Sequence, residues 1–511
     1  MRTTWMLGGV LGFSAVAMGS PNLQFQTVIY QGQSIAGDQF DDAGQVVVAP
    51  NGTVGIVGVL ETSGNEVVIY STGSGNSWTS NSIAETSTAA FTSPDGDQFD
   101  SFANLAMTQD IGGATRLTFA AQDTADNSGI LQWDTGTSNL GSVAFDGDSN
   151  GYSNVGGGGT DSGFGLIEMQ VNGSGQVMFP ATTSSNIIGR GNDLAAPYTM
   201  YTSGNPAIND LSSRVALGAD NSGVALLSSG STPGIYSISA AGGITNKVSG
   251  TYTPAATDPV MGYYSTGGSS AALMLFAGSS SQQFQIGLSK NGGAPTILVP
   301  QFTANGSIPQ AEMAPSGKIA MYVPNTSGDT LLTADATNAT PTTKLIASVY
   351  GTANATSLTD VATDPGNNDS LKIYALTDAN DATGPEINSS GTVVFTGDVG
   401  DSPSDEKEAL MDWVTGDASP EILLAVGDTV TVGGQPVTIQ DFSRTNLSSE
   451  DDYYKNALND QNELAVDVDY TLNSDPSEGG SAVLVAVIPE PTTLALVSLA
   501  GVGLMARRRR R

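Results

Sequence analysis

The loop from Asp146 to Gly151 has the residue types and spacing of the first half of an EF-hand-type calcium loop. Asp146, Asp148 and Asn150 offer oxygen ligands at alternate positions, and Gly151 stands where such a loop turns sharply. The twelfth position is Gly157, where a bidentate Glu is expected, so any calcium site here is weak or is completed by residues from elsewhere in the chain. The alternative is a solvated Asp/Asn turn.

The same loop contains a formal G-x-S-x-G nucleophile motif centred on Ser149. The chain has no histidine and no cysteine. Their absence removes Ser-His-Asp and Cys-His catalysis, metal sites that need either residue, and disulfides. Because no histidine can activate the serine, we interpret this match as accidental.

Carboxylates are the main remaining candidates for chemistry. The acidic runs Asp401 to Glu408 and Glu450 to Asp452 could supply the two acids that glycoside hydrolysis needs at ~5 to 10 Å, or they could be solvated loops. The formal net charge is −33, and such a surface repels nucleic acid and anionic lipid and leaves divalent cations as natural partners. The acidity could equally serve only solubility. We expect no cofactor other than weakly bound Ca²⁺.

Residues 1–19 have the order of a secretory signal peptide. Arg2 is followed by an apolar stretch from Trp5 to Met18 and then by small residues, and cleavage after Ala17 or Gly19 fits this order. The apolar run is shorter than the ~20 residues that a membrane-spanning helix needs. We therefore predict a signal peptide that is removed.

The C-terminal end shows three features in a fixed order. Pro489, Glu490 and Pro491 are followed by a stretch without charge, Thr492 to Ala506, and then by five arginines, Arg507, Arg508, Arg509, Arg510 and Arg511. The uncharged stretch would form a helix about 22 Å long, which reaches across a ~30 Å hydrocarbon core if the arginines extend it. The arginines would stay on the cytoplasmic side.

These three features resemble the PEP-CTERM sorting signal, over about the last 25 residues. The resemblance implies a short transmembrane helix at 492–506, processing by an exosortase-like membrane enzyme, and export of everything before Pro489. It also implies delivery to the cell surface, outer envelope or extracellular matrix of a Gram-negative-type bacterium, with transient anchoring in the inner membrane. The alternative is a plain C-terminal anchor with a chance Pro-Glu-Pro.

Residues 23–488 repeat one pattern, a Gly-containing turn followed by an apolar strand. Clear copies begin at Pro50, Asn172, Pro315, Asn388 and Asn459, and weaker ones at Asp110, Asp220 and Gly267. Two units also share Gly-Asp-Gln-Phe-Asp, at 37–41 and 96–100. Eight units spaced by about 45 to 75 residues are typical of four-stranded propeller blades. The body also resembles tandem repeat proteins with an Asn-x-x-Gly core that often carry PEP-type tails, which implies a propeller-like fold.

We predict an all-β repeat fold, a seven- or eight-bladed β-propeller, with tandem β-sandwiches or a solenoid as alternatives. The first strand, Thr27 to Tyr30, matches the third strand of a unit, whereas the last strand, Val483 to Val487, matches a second strand. The first strand would therefore complete the last blade and close the ring.

The expected domains are a signal peptide at 1–19, a β-repeat body at 23–488 and a sorting signal at 489–511. The expected function is that of a non-catalytic structural or adhesive protein of the cell surface or exopolysaccharide matrix. Its expected partners are the exosortase-like enzyme and a polysaccharide, with the membrane engaged through the tail alone and nucleic acid excluded. Two alternatives stay open: a secreted carbohydrate-active enzyme on a propeller scaffold, and a calcium-dependent glycan-binding module.

Overall fold

The structure is a computed structural model. It describes residues 23–75, 77–109, 114–148, 151–155, 169–192, 195–204, 206–208, 215–229, 232–249, 252–255, 260–266, 268–280, 282–352, 359–364, 369–376, 384–443 and 457–489. The strands in these ranges form eight sheets, and no helix there is long and apolar enough to cross a membrane. The predicted signal peptide and the predicted helix at 492–506 lie outside the described residues.

Seven of the sheets are formed by strands that are consecutive in the chain, and we number the sheets as blades. The first strand, β1 (Gln26–Tyr30), belongs to the last blade. Blade 1 contains β2 (Ser34–Ile35), β3 (Asp38–Val48), β4 (Val54–Leu60), β5 (Glu66–Ser74) and β6 (Ser77–Glu85). Blade 2 contains β7 (Phe99–Gln109), β8 (Thr115–Asp123), β9 (Ser128–Asp134) and β10 (Asn139–Phe145). Blade 3 contains β11 (Gln170–Val171), β12 (Val177–Thr182), β13 (Asn186–Asn192) and β14 (Ala195–Thr202).

The remaining blades follow the same order. Blade 4 contains β15 (Val215–Leu217), β16 (Gly223–Ser229), β17 (Thr232–Ile238) and β18 (Ile244–Lys247), and blade 5 contains β19 (Val260–Thr266), β20 (Ser269–Ala277), β21 (Gln283–Lys290) and β22 (Thr296–Thr303). Blade 6 contains β23 (Gln310–Met313), β24 (Lys318–Val323), β25 (Thr330–Asp335) and β26 (Lys344–Ser348). Blade 7 contains β27 (Val361–Asp364), β28 (Asp369–Ile373), β29 (Glu386–Ile387), β30 (Val393–Gly400), β31 (Lys407–Trp413) and β32 (Glu421–Ala425). Blade 8 contains β33 (Thr429–Val432), β34 (Gln435–Ser443), β35 (Glu463–Leu472) and β36 (Asp475–Val487), together with β1.

The blades pack face to face into a closed ring. Eight clusters of buried apolar residues each join one blade to the next, and the ring closes where blade 8 meets blade 1. At that closure, Ile29 and Val483 of blade 8 pack with Phe40 and Ile56 of blade 1. A ring of small antiparallel sheets with both faces covered is a β-propeller. The predicted fold class is confirmed, with eight blades.

The side chains of alternate residues in a strand point to opposite faces of its blade. In β3, Val46 and Val48 pack toward blade 8, whereas Val47 packs toward blade 2. In β4, Ile56 and Val57 divide in the same way. Because a neighbouring blade covers each face, these strands carry apolar residues at nearly every position, which explains the unbroken apolar runs of the repeat.

The N-terminal strand closes the ring. β1 pairs antiparallel with β36, with Gln26 opposite Val485 and Tyr30 opposite Ala482. It thereby becomes the edge strand of blade 8, next to β36 in the order β1-β36-β35-β34-β33. The expectation that the first strand completes the last blade is confirmed.

Blade 7 has two strands that the repeat pattern did not predict. β27 pairs in parallel with β32 through Thr363 and Glu421, and β28 pairs with β30 through Lys372 and Gly400. Both strands are short and partly exposed. Their residues lack the apolar run that marks the other strands. Whether such a segment forms a strand depends on its pairing with neighbouring strands.

An asparagine in the turn before the second strand ties neighbouring blades together. The side-chain oxygen of Asn388 accepts a hydrogen bond from the backbone N–H of Thr392 at 3.0 Å, which folds its own turn. Its Nδ2 donates to the backbone oxygen of Asn459 in blade 8 at 3.0 Å. Asn172 of blade 3 donates in the same way to the backbone oxygen of Gly218 in blade 4, at 3.0 Å. One side chain thus satisfies its own turn and the next one.

An asparagine also joins the blades at the closure, where Asn459 Nδ2 donates to the backbone oxygen of Ala49 in blade 1 at 2.7 Å. Between blades 1 and 2, Asn51 Nδ2 donates to a side-chain oxygen, Thr115 Oγ1, at 2.9 Å. These turns precede β4, β12, β16, β30 and β35, so they all lie at one end of the ring. We call the end where the second strand of each blade begins the turn face, and the end where that strand finishes the far face.

Replacing Asn388 tests the role of these turns. Asn388 is 2% exposed. Asn388→Ala takes the side-chain acceptor from the backbone N–H of Thr392 in its own turn and removes the hydrogen bond to the backbone oxygen of Asn459 in blade 8. We expect a loss of about 2 to 4 kcal/mol in the free energy of unfolding, measured by urea denaturation. The exposed Asn139→Ala is the matched control, with an expected change within about 0.5 kcal/mol. Equal effects of the two variants would contradict the assigned role.

Candidate functional site

A pocket opens at the seam between blades 8 and 1, with a volume of about 310 Å³. We call it the seam pocket. It is lined by Gln31, Asp41, Asp42, Gln440, Asp469, Tyr470, Gly480 and Ser481. Its walls come from β3 of blade 1 and from β34, β35 and β36 of blade 8, so it exists only because the ring is closed. No Lys or Arg is among these lining residues.

Irregular strand pairing brings the carboxylates into the pocket. Asp41 and Asp42 are adjacent in β3 and would point to opposite faces in a regular strand. The pairing of β3 with β4 shifts register between Phe40 and Asp42, and both aspartates line the pocket. In β34 a second shift, between Ile439 and Asp441, sets Asp441 opposite Asp469. Such bulges redirect side chains at functional sites.

Asp467 lies beside the seam pocket and is 8% exposed. Burial raises the pKa of Asp467 well above its usual range, and the nearby carboxylates of Asp42 and Asp469 raise it further. Ser481 Oγ donates to Asp467 Oδ1 at 3.2 Å. Burial also raises the pKa of Asp469, with Asp42 and Asp441 adding to the effect.

The seam pocket therefore joins a carboxyl group that favours its protonated form to carboxylates open to solvent. Gln31 Nε2 donates to Asp41 Oδ1 at 2.7 Å and holds that side chain in place. An acid and a carboxylate side by side can hold and move a proton, and glycoside hydrolysis uses such a pair. The same oxygens could also hold a cation.

A second acidic group lies at the far face of blade 2. Among the described residues, Asp95, Asp97 and Asp123 form the group of three carboxylates whose oxygens lie within 4.8 Å of one another, which suits a divalent cation. We call it the aspartate cluster. Asp123 is buried and its Oδ1 accepts the N–H groups of Ala125 and Asn127, both at 2.9 Å. Asp95 and Asp97 are exposed.

The calcium loop predicted from sequence lies beside the aspartate cluster. A Cβ placed on Gly147 would sit 3.1 Å from Asp95 Oδ2. Asp146 Oδ1 accepts the N–H of Val155 at 2.8 Å, and burial raises the pKa of Asp146. Asp148 Oδ2 faces the N–H of Phe145 at 3.4 Å. Asn150 lies outside the described residues. A calcium site completed from elsewhere in the chain stays a prediction, and Asp95 is a residue that could complete it.

The other sequence candidates are distributed as follows. Asp401 and Asp405 are in an exposed turn after β30, where Lys372 Nζ donates to the backbone oxygen of Asp401 at 3.2 Å. This placement fits a solvated loop. Of the sorting residues, Pro489 is described, whereas Glu490, Pro491 and the five arginines lie outside the described residues. Three other candidates also lie outside them: Ser149, the run at 450–452, and the proposed cleavage positions Ala17 and Gly19.

Sequence reasoning missed the seam pocket because its residues come from the two ends of the body. The shared Gly-Asp-Gln-Phe-Asp segments were a partial signal for both acidic groups, because Asp41 of the first segment lines the seam pocket and Asp97 of the second belongs to the aspartate cluster. The first aspartates of the two copies are Asp38, the first residue of β3, and Asp97, two residues before β7. Asp38 accepts the N–H groups of Thr62 and Ser63, at 3.2 and 2.9 Å, whereas Asp97 belongs to the aspartate cluster. Hydrogen bonds from Thr62 and Gln39 hold the pKa of Asp38 below its usual range.

Residues 487–511 match the PEP-CTERM protein-sorting motif, which confirms the resemblance noted in the C-terminal sequence. The motif implies an exported protein that is sorted at a membrane and processed by an exosortase-type enzyme. No curated protein matches the chain.

Several solved structures are similar in part. The β-propeller domain of the Trilobed protease from Pyrococcus furiosus is 9% identical, covers 76% of this chain and 99% of its own, and has a TM-score of 0.37. Prolyl oligopeptidase B from Galerina marginata is 9% identical over 90% of this chain, with a TM-score of 0.41, and this chain spans 56% of its length. AofleA from Arthrobotrys oligospora is 9% identical over 61% of this chain and 86% of its own, with a TM-score of 0.29. These scores lie below 0.5, so the fold assignment rests on the eight blades themselves.

Neutralising Asp467 tests the electrostatics of the seam. Its pKa is raised in the folded state, so between pH ~3.9 and that raised value the folded protein holds more protons than the unfolded chain. The free energy of unfolding therefore falls as the pH rises. In Asp467→Asn we expect a smaller fall, and at pH 8 a gain of about 1 to 2 kcal/mol over the parent, measured by urea denaturation from pH 4.5 to 8. Asp126→Asn, on an exposed turn, should reproduce the parent curve. Parallel curves for all three proteins would contradict this account of the seam.

The calcium hypothesis predicts a ligand-dependent stability. A tenfold excess of Ca²⁺ over its dissociation constant should raise the free energy of unfolding by about 1.4 kcal/mol, and a chelator should reverse the change. Asp97→Asn removes one carboxylate of the aspartate cluster from its exposed side and should abolish the effect. Asp405→Asn, in the exposed turn of blade 7, should keep it. Parent protein whose unfolding is insensitive to Ca²⁺ and chelator would exclude the site.

Proposed function

We propose that this protein, which carries the PEP-CTERM sorting motif at residues 487–511, is a non-catalytic structural or adhesive protein of the bacterial surface or extracellular matrix. The observation that carries the proposal is the junction between body and tail. β36 ends at Val487, the first residue of the matched motif, so the whole propeller is the cargo of that tail.

The composition and fold support a structural role. A chain without histidine and cysteine lacks the commonest nucleophile and base combinations. The ring buries both faces of each blade, and the pairing of β1 with β36 ties its two ends together. An acidic surface with polar turns stays soluble outside the cell and offers hydroxyl, amide and carboxylate groups to a hydrated polysaccharide.

A secreted carbohydrate-active enzyme is the second candidate, and the seam pocket favours it. Asp467 beside Asp42 and Asp469 provides the acid and carboxylate that glycosidases use. In that case Asp42→Asn would abolish release of reducing ends from matrix polysaccharide. A structural role instead predicts no release by the parent protein and unchanged matrix binding by Asp42→Asn.

Exchanging the sorting residues tests the main proposal. Three proteins are produced in a bacterium that has the sorting enzyme: the parent, a form with Pro489→Ala, Glu490→Ala and Pro491→Ala, and a form that ends at Ile488. We expect the parent in the surface and matrix fraction without the Arg507 to Arg511 peptide, the triple variant in the inner membrane with that peptide, and the shortened form in the medium. Fractionation with mass spectrometry reads out all three. A parent protein that is soluble in the cytosol would overturn the proposal.

A further inference from the structure

The last strand leads the chain out at the turn face. Val487 lies opposite Glu463, at the start of β35 and four residues after Asn459. The next residue, Ile488, is 2% exposed and packs in the apolar cluster between blades 7 and 8. Its N–H donates to the backbone oxygen of Asn462 at 2.8 Å. The fold therefore holds the chain in place as far as Ile488.

The link from the fold to the apolar tail is short. Three residues, 489–491, separate Ile488 from Thr492, where the uncharged stretch begins. Four residue steps reach at most ~14 Å even when the chain is fully extended. A bilayer that contains the tail must then lie close to the turn face at blade 8.

The two faces differ in how far their carboxylates are balanced by basic residues. The carboxylates of the seam pocket and the aspartate cluster gather at the far face, whereas at the turn face Arg116 pairs with Asp134 and Lys318 pairs with Asp335. The structure describes eight basic residues. Two of them, Lys372 and Lys407, lie at the far face, and Lys247 lies between the faces, at the end of β18 and opposite Tyr236 of β17. The other five lie toward the turn face: Arg116, Arg190, Lys290, Lys318 and Lys344. Anionic headgroups repel a dense group of carboxylates. The far face is therefore the unfavourable side to bring to a membrane.

We propose that the turn face is the surface of the folded body that lies against the bilayer before the tail is processed. The far face, with the seam pocket and the aspartate cluster, then points away from the membrane and is open to soluble ligands. The inference rests on the proposed function, because it requires an inserted tail. It adds a second membrane-facing element, the ring of turns, to the tail itself.

Because the chain contains no cysteine, a single introduced cysteine can be labelled at a chosen position to measure the orientation of the body on a membrane. Single cysteines are placed in the full chain at four exposed positions: Gln461→Cys and Ala241→Cys on the turn face, and Ser63→Cys and Ser404→Cys on the far face. Gln461 is in blade 8, beside the exit of the chain, and Ala241 is in blade 4, four blades away around the ring. Each variant carries a donor dye and is reconstituted in phosphatidylglycerol and phosphatidylethanolamine vesicles that contain acceptor-labelled headgroups.

We expect energy transfer at Gln461 and Ala241 to be at least twofold higher than at Ser63 and Ser404. A twelve-residue Gly/Ser insertion between Ile488 and Pro489 is the control, and it should bring the four sites toward a common value. Transfer at Ala241 equal to that at Ser63 and Ser404 would overturn the inference. Vesicle flotation separates the two proposals: a full chain that floats but shows no preferred face disproves only the orientation, whereas a chain that fails to float disproves tail insertion, and the orientation falls with it.

Discussion

The pairing of β1 with β36 is the contact through which the blades become one molecule. A blade alone would expose two apolar faces, and the eight apolar clusters show that each face is covered by the neighbouring blade. Blades 1 and 8 have neighbours on both sides only if the ring closes. Two features therefore form together: the β1–β36 ladder, and the apolar cluster that contains Ile29, Phe40 and Val483. Loss of either exposes apolar surface on two blades.

Polar contacts decide how the blades are aligned once apolar packing has brought them together. Apolar contact is weakly directional, so eight similar blades could slide along their common faces. The turn asparagines prevent this, because Asn388 and Asn459 each join a bond within their own turn to a bond with the next blade. Arg116, held by Asp134 at 3.2 Å, reaches from blade 2 to the backbone oxygen of Ser174 in blade 3. The seam has both the Asn459 bond at the turn face and a group of carboxylates at the far face, and the apolar cluster at the closure must offset the mutual repulsion of those carboxylates.

The sequence predicted the elements that follow from local pattern. Turns such as Pro50 to Gly52 and the apolar runs after them mark the second strands, and the mismatch between first and last strands indicated how the ring closes. The blade count was left as seven or eight, and β27 and β28 were missed because their pairing depends on neighbours rather than on an apolar run. The seam pocket needs Asp42 and Asp469 to line one cavity across the closure, and it needs the register shift in β3 that lets Asp41 and Asp42 both line it. Register shifts leave no readable mark in a single sequence.

β36 has two roles that constrain each other. It lies between β35 and β1, so it is bonded on both sides, and it also continues directly into the sorting motif. A pull on the tail is therefore borne along the strand by two ladders of hydrogen bonds, a geometry in which the bonds must break together rather than one by one. Ile488, the residue after that strand, is buried in the apolar cluster between blades 7 and 8 and so also holds the chain where it leaves the fold. The same strand that lies at the closure of the propeller therefore also leads into the sorting motif, and in a body whose ring is open it would keep the ladder with β35 but lose the ladder with β1.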